Sequence, residues 1–199
     1  MLECHDKPVH LVGHDWGGIL VVRAAILWPD LVTSWVTDAA GAVDARFIRH
    51  PLARIWQTAS EGEQWMDAQL SLSTAERATA LVPLGVPEAD ALIMADALDR
   101  TMADAILAPY RSAILVHQDW DADFSDVPAP GLALAPLADP VAMARGAKRA
   151  AQRSAERSRA RLCPPEGAGH WWMLTHPEAM AALLEELSAP ADRHPQTAR

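Results

Sequence analysis

Asp15 lies at the centre of a short glycine-flanked sequence, Gly13-His14-Asp15-Trp16-Gly17. This Gly-x-Asp-x-Gly pattern has the form of a sharp turn from a strand into a helix, in which the central side chain projects from a strained backbone at the carboxyl edge of a sheet. Side chains at the two flanking glycines would collide where strand and helix approach, and the helix N-terminus favours a negative charge. A carboxylate is ionised at pH 7 and can attack a saturated carbon without a base, giving an alkyl ester. The pattern therefore predicts a nucleophile, although Asp15 taken alone would be read more simply as the cap of a helix.

The elements around Asp15 match such a turn. A short β-prone run, Val9 to Val12, precedes Gly13, and apolar residues at helical spacing run from Gly18 until Pro29 stops them. Residues 32–37 are β-branched and alternating, which predicts a second strand. Strand, turn, helix and strand within about 30 residues form a βαβ unit, so a parallel sheet is predicted.

The middle of the chain has a different residue pattern from its two ends. Ala, Leu, Met and Trp recur at helical spacing between about Ala45 and Gln118, which predicts several short helices and no strands. Later in the chain the pattern predicts strands at residues 131–135 and 161–163, and helices at residues 141–159 and 177–187.

Composition excludes several classes of protein. The 199 residues carry 26 acidic and 17 basic side chains, a net charge of −9, which argues against nucleic acid or an anionic membrane as a partner. The longest apolar segment, residues 19–28, is shorter than the roughly 20 residues of a membrane span and contains Arg23. Cys4 and Cys163 have no zinc-site spacing, so no metal is predicted. The first residues lack a secretion signal, and a cytoplasmic location is the expectation.

Residues 13–18, Gly-His-Asp-Trp-Gly-Gly, resemble the nucleophile turn of α/β-hydrolases, in the branch that uses Asp in place of Ser. Soluble epoxide hydrolases and haloalkane dehalogenases belong to that branch. The family's triad runs in the order nucleophile, acid, His. By this resemblance Asp139, after the strand at 131–135, is the acid, and His170, in Gly-Ala-Gly-His-Trp-Trp before the last helix, is the catalytic His. Asp38 ends the second strand, where some dehalogenases carry the acid; it remains an alternative because Pro136 stands where the family usually has Gly.

The resemblance implies an α/β fold with a parallel sheet flanked by helices and a helical cap inserted into it. The expected division is a first core part at 1–44, the cap at 45–120, a second core part at 121–190 and a frayed tail at 191–199. The family places about four strands, roughly 100 residues, before its nucleophile turn. The N-terminal half of the sheet is therefore expected to be missing. The alternative of a different class is a truncated, inactive family member that acts at most as an interaction module. A second copy of the chain, as a homodimer, or a missing N-terminal segment would then complete it.

The resemblance also implies a mechanism that needs no cofactor. Asp15 would form an alkyl ester with a small apolar substrate, and His170, oriented by Asp139, would activate a water to hydrolyse it. The backbone N–H of Trp16 would bind the oxyanion, and its indole N–H can face the leaving group.

Two substrate classes compete within this resemblance, and the sequence Gly-His-Asp-Trp-Gly-Gly is most similar to that of the epoxide hydrolases. Epoxide hydrolases normally use two cap tyrosines as proton donors, whereas this chain has one, Tyr110. A dehalogenase needs a second halide donor, which Trp56, Trp65 or Trp120 could supply, although indoles at helical spacing more often pack in a core. His14 and His176 are expected to be structural.

Overall fold

A computed structural model describes residues 7–44, 50–120, 123, 125, 127–139 and 147–188. Within these residues one sheet has four parallel strands in chain order: β1 (Val9–Gly13), β2 (Val32–Thr37), β3 (Gly131–Leu134) and β4 (Arg161–Cys163). All three pairings are parallel, so the carboxyl ends of the strands meet at one edge of the sheet. The predicted parallel sheet is confirmed.

Ten α-helices lie in the described part of the chain. They are α1 (Trp16–Leu27), α2 (Pro51–Gln57), α3 (Glu61–Ser71), α4 (Thr74–Leu81), α5 (Glu88–Asp96), α6 (Arg100–Ser112), α7 (Val116–Asp119), α8 (Ala147–Ser158), α9 (Trp172–Thr175) and α10 (Pro177–Ser188). Short 3-10 turns occupy Pro29–Leu31, Ala40–Val43 and Val82–Leu84. Among the described helices, none is long and apolar enough to cross a membrane.

Helix α1 packs its apolar face on the first two strands. Ile19, Val22 and Ala25 are buried at helical spacing and share a cluster with Val32 and Trp35. The helix starts at Trp16, two residues earlier than the sequence pattern indicates, and ends before Pro29, which lacks the N–H needed to continue it. The strand–turn–helix–strand prediction is confirmed by this packing.

The two central strands are held together by one large side chain. Trp35 of β2 is fully buried, and its ring lies so close to Gly131 of β3 that a Cβ there would come within 2.2 Å of it. The Trp35 indole N–H donates to the carbonyl of Ala129 at 3.0 Å. On the opposite face Val36 and Leu132 share a cluster with buried residues of α9 and α10. Helices therefore cover both faces of the central strands, as the predicted fold class requires.

The connection between β2 and β3 is helical where it is described, from residue 50 to residue 120. Its helices have small cores of their own, one around Met66 and Leu107 and another around Ala91. The predicted absence of strands is confirmed for this part. The division into core, cap and tail stays a prediction. The predicted helix at 141–159 is described from Ala147, and residues 141–146 and the predicted tail at 191–199 lie outside the described residues.

Candidate active site

Asp15 occupies the turn between β1 and α1 in a strained conformation. Its φ is 50° and its ψ is −121°, a region that residues other than glycine rarely adopt. Its carbonyl accepts a hydrogen bond from the N–H of Ile19 at 3.2 Å, and the helix begins with this hydrogen bond. The side chain makes no capping hydrogen bond to the described helix and is 48% exposed. This geometry is that of a projecting side chain rather than of an ordinary helix cap.

The glycines around Asp15 differ in how tightly they are enclosed. A Cβ on Gly13 would lie 2.3 Å from the carbonyl oxygen of Gly17, so strand and helix touch through bare backbone at this point. A Cβ on Gly18 would lie 2.5 Å from Oγ1 of Thr37. A Cβ on Gly17 would meet nothing within 4 Å among the described residues. The expected collision is confirmed at Gly13 and wrong at Gly17, since the helix approaches the sheet through Gly18.

The structure brings Asp15, Asp139 and His170 together at the carboxyl ends of the strands. His170 Nδ1 lies 2.9 Å from Asp139 Oδ2, and His170 Nε2 lies 3.9 Å from Asp15 Oδ2. The Asp139 side chain is 2% exposed and that of His170 is 18% exposed. The roles assigned to the three residues stay predictions, and their arrangement has the order nucleophile, His, acid in space.

Backbone contacts fix the two loops that carry Asp139 and His170. The N–H of Ala138 donates to the carbonyl of Ala168 at 3.1 Å, which joins the loop after β3 to the loop after β4. Gly169 permits this approach, because a Cβ there would lie 3.2 Å from the Ala138 carbonyl oxygen. Pro136, which left the acid position open in the sequence, accepts from the N–H of Asp139 at 3.3 Å and does not keep Asp139 from reaching His170.

The contact with Asp139 determines which nitrogen of His170 faces Asp15. An ionised carboxylate can only accept, so the Nδ1–H of His170 donates to Asp139. In the neutral ring Nε2 then carries the lone pair, on the side of Asp15, where a general base needs it.

Burial and neighbouring charges shift the pKa of both groups. Partial burial raises the pKa of Asp15, and the Asp38 charge adds to the rise, while His170, His14 and His50 oppose it. For His170 burial alone would lower the pKa, but the hydrogen bond to Asp139 and the nearby carboxylates outweigh it, so the pKa lies above its ordinary value. The raised pKa makes the Asp15 carboxylate more basic than in water, which favours its predicted action as a nucleophile.

Asp38, the alternative acid, has a different partner. Its Oδ2 lies 2.5 Å from His14 Nδ1 and accepts from the indole N–H of Trp172 at 2.7 Å, and its Oδ1 accepts from the N–H of Asp15 at 2.9 Å. The structure thus pairs His170 with Asp139 and His14 with Asp38. The two imidazole rings are tilted against each other with centroids 4.6 Å apart.

An aromatic cluster lies beside Asp15. The Tyr110 ring meets the Trp16 ring edge-on with centroids 5.1 Å apart, and the Trp56 ring at 4.8 Å. Tyr110 is 8% exposed, and its hydroxyl lies 3.3 Å from His50 Nε2. Because His50 Nδ1 accepts from the N–H of Ala53, the neutral ring carries its proton on Nε2 and donates to Tyr110.

The model of the Alpha/beta hydrolase family matches residues 1–183 of this chain. The chain belongs to the α/β-hydrolase family. A comparison with curated proteins found no match.

Solved structures of several hydrolases are similar in fold to this chain. A meta-cleavage product hydrolase from Pseudomonas fluorescens has a TM-score of 0.65 and 18% identity, over 91% of this chain and 64% of its own. A hydrolase from Pseudomonas aeruginosa has 0.62 and 20%, over 92% and 66%. Epoxide hydrolase A from Mycobacterium thermoresistibile has 0.57 and 20%, over 92% and 69%. This α/β-hydrolase chain thus spans a little under two thirds of the first two structures.

The other residues considered from the sequence, Trp65, Trp120 and His176, have other contacts in this α/β-hydrolase. The Trp65 ring meets the Trp56 ring edge-on with centroids 5.4 Å apart and packs with Met66. The Trp120 ring lies under the Arg23 guanidinium at 5.0 Å, so both indoles pack against neighbouring side chains. His176 hydrogen-bonds to Thr175. The described residues contain no group of three His, Cys, Asp or Glu side chains able to hold a metal.

Sequence reasoning missed two contributors to the site. His50 precedes Pro51 at the start of a helix, which is a signal for a helix cap, and nothing in the sequence relates it to Tyr110, 60 residues away. Trp172, two residues after the predicted catalytic His, was not singled out, although its indole reaches Asp38.

Proposed function

We propose that this chain is an α/β-hydrolase that opens a small apolar epoxide through an alkyl ester of Asp15. The observation that carries the proposal is a strained, half-exposed carboxylate facing Nε2 of a histidine whose Nδ1 is held by a buried aspartate. An aspartate in that position is a nucleophile for saturated carbon, whereas a serine there would serve acyl transfer. The likeness to an epoxide hydrolase is one of fold and adds no residue role.

In the first step a carboxylate oxygen of Asp15 attacks a ring carbon of the epoxide. The ring C–O bond breaks, and the departing oxygen takes the hydroxyl proton of Tyr110. The separation of 3.9 Å between Asp15 Oδ2 and His170 Nε2 exceeds a hydrogen bond, so the attacking oxygen is not occupied by the imidazole.

In the second step a water attacks the carbonyl carbon of the Asp15 ester. His170 Nε2 takes a proton from that water, and Asp139 stabilises the resulting imidazolium. The N–H of Trp16, in the first turn of α1, is the proposed donor to the oxyanion. Collapse breaks the bond between the carbonyl carbon and the alkyl oxygen, and the departing alkoxide takes the remaining proton of the attacking water, which releases a diol and the Asp15 carboxylate. The proton on His170 then returns the Tyr110 phenolate to its neutral form through solvent.

Haloalkane dehalogenation is the second candidate, and one observation favours it. The indole N–H of Trp56 is buried and has no hydrogen-bond partner among the described residues. Its ring lies against Tyr110, which in turn lies against Trp16. Two indole N–H groups near the leaving group would bind a halide, and no proton donor would then be required.

Trapping of the ester tests the proposal. In His170→Gln the water is not activated, so the ester accumulates and intact-mass spectrometry detects it after incubation with styrene oxide or, separately, 1-bromobutane. Asp15→Asn must show no adduct, and His176→Gln, a change on the neighbouring turn, must turn over like the wild type. An adduct from styrene oxide supports the proposal; an adduct from 1-bromobutane alone supports the dehalogenase. Folded protein without any adduct contradicts both and leaves the interaction module as the alternative.

Two further variants separate the two chemistries. Tyr110→Phe removes the proton donor and should slow adduct formation from the epoxide about 100-fold or more, as expected for loss of general acid catalysis. Trp56→Phe retains the ring contact and should leave that rate unchanged. If instead Trp56→Phe slows adduct formation from the bromoalkane and Tyr110→Phe does not, the result supports halide binding by the Trp56 indole.

A further inference from the structure

The carboxylate of Asp38 accepts hydrogen bonds from three separate donors. These are the ring of His14 at 2.5 Å, the backbone N–H of Asp15 at 2.9 Å and the indole N–H of Trp172 at 2.7 Å. The side chain is 5% exposed. A buried carboxylate is costly unless its oxygens are hydrogen-bonded, and here both oxygens are engaged.

These three donors come from the two loops that carry the proposed reacting groups. Asp15 is in the turn after β1, and Trp172 begins α9, two residues after His170. Asp38 itself follows β2, the strand next to β1 in the sheet. One side chain therefore links the strained nucleophile turn to the loop of the histidine.

The same contacts distinguish Asp38 from a triad acid. His170 Nδ1 is already bonded to Asp139, and Asp38 Oδ2 is taken by His14 and Trp172. Asp38 acts on the reacting pair through the backbone of Asp15, the position of the Trp172 helix, the His14 ring that lies against the His170 ring, and its charge.

We propose that Asp38 is a positioning residue, whose carboxylate holds the Asp15 turn and the His170 loop at a fixed separation. The inference rests on the proposed function in that Asp15 and His170 are the reacting groups. The link itself can be measured without substrate.

Asp38→Asn tests the link with little change of shape. An amide has one accepting oxygen and a donating NH2, so it cannot receive all three N–H groups. With the Asp15 turn and the His170 loop released, adduct formation should fall about 10- to 100-fold, the scale of a misplacement of about 1 Å.

Two spectroscopic readouts go beyond a general loss of stability. In heteronuclear NMR the indole signal of Trp172 should shift towards that of a free indole. The pKa of His170, followed by histidine ring resonances, should fall, because Asp38 is one of the charges that raise it. The groups that face this region are His14, Asp15 and Asp139.

Asp44→Asn is the matched control. Asp44 also follows β2, its side chain is 4% exposed, and it is held by the Arg153 guanidinium at 2.7 and 2.9 Å. It should lose stability without a change in the Trp172 signal or in the pKa of His170.

If Asp38→Asn does not fold, Trp172→Phe breaks the same link from the other side while keeping an aromatic ring in the core. In a folded Asp38→Asn, wild-type rates with an unmoved Trp172 signal overturn the proposal. Where only Trp172→Phe folds, wild-type rates of adduct formation in that variant overturn it. Absence of any adduct in the wild-type background overturns the proposed function alone, since the NMR readouts still decide whether Asp38 links the two loops.

Discussion

Replacement of the glycines beside Asp15 offers a stringent check on the geometry of the nucleophile turn. Gly13 and Gly17 are placed symmetrically in the sequence pattern, and a pattern alone treats them as equivalent. In the structure the two glycines differ in how much space surrounds them. A Cβ on Gly13 would collide with the helix backbone, whereas a Cβ on Gly17 would meet nothing within 4 Å among the described residues.

The size of the difference follows from the atoms involved. At Gly13 the Cβ would lie 2.3, 2.5 and 2.6 Å from the carbonyl oxygen and carbon of Gly17 and the nitrogen of Gly18, and backbone atoms cannot rotate away. Overpacking of this kind costs about 1–3 kcal/mol or more. Gly17 lies in α1 without a positive φ, so alanine there should gain up to about 1 kcal/mol. The two variants should thus differ by about 1–4 kcal/mol in the free energy of unfolding.

Urea unfolding followed by tryptophan fluorescence measures this difference. Gly13→Ala should lower the midpoint and Gly17→Ala should leave it unchanged or raise it, with equal slopes in urea for both. Gly13→Ala should also slow ester formation, since it displaces the turn that carries Asp15. Equal destabilisation by both alanines would refute the described approach of strand and helix.

Two further predictions concern protonation. Because the pKa of His170 lies above its ordinary value of 6.5 in the unreacted protein, its ring resonances in NMR should titrate with a midpoint above 6.5. A midpoint at or below 6.5 would contradict the contact with Asp139. Burial raises the pKa of Asp15 in the folded state above 3.8. Between pH 3.8 and the raised pKa the folded chain therefore binds more protons than the unfolded chain, and the free energy of unfolding declines as the pH rises through this range. Asp15→Asn should therefore be more stable than the wild type at pH 7, and this difference in stability should vanish below pH 3.8. Thermal unfolding at pH 7 and at a pH below 3.8 measures the difference. An equal difference at the two pH values would contradict the raised pKa of Asp15.

The sheet was accessible from the sequence because its strands carry local signals. Four of the six residues at 32–37 are β-branched, and the strand observed has the same bounds. Asp139 and His170 could be named by resemblance, since each follows a strand and parallel strands end at one edge. The start of α1 was misplaced by two residues, because the strained Asp15 lets the helix begin at once with Trp16.

The contacts that complete the site were beyond sequence reasoning. Asp38 and His14 are 24 residues apart, and His50 and Tyr110 are 60 apart, so only the packing of different elements shows that they touch. The unequal crowding of Gly13 and Gly17 likewise depends on the angle at which α1 crosses the sheet, which no local pattern encodes.

The central claim is that Asp15 itself bonds to the substrate carbon, and the fate of its oxygen tests this most directly. Excess wild-type protein would react once with styrene oxide in water enriched in heavy oxygen, followed by mass spectrometry of the diol and of the peptide containing Asp15. Attack by Asp15 predicts a diol without the label and a labelled Asp15 carboxylate, because water enters at the carbonyl carbon and the alkyl oxygen leaves with the product. A labelled diol and an unlabelled Asp15 after that single turnover would contradict the account.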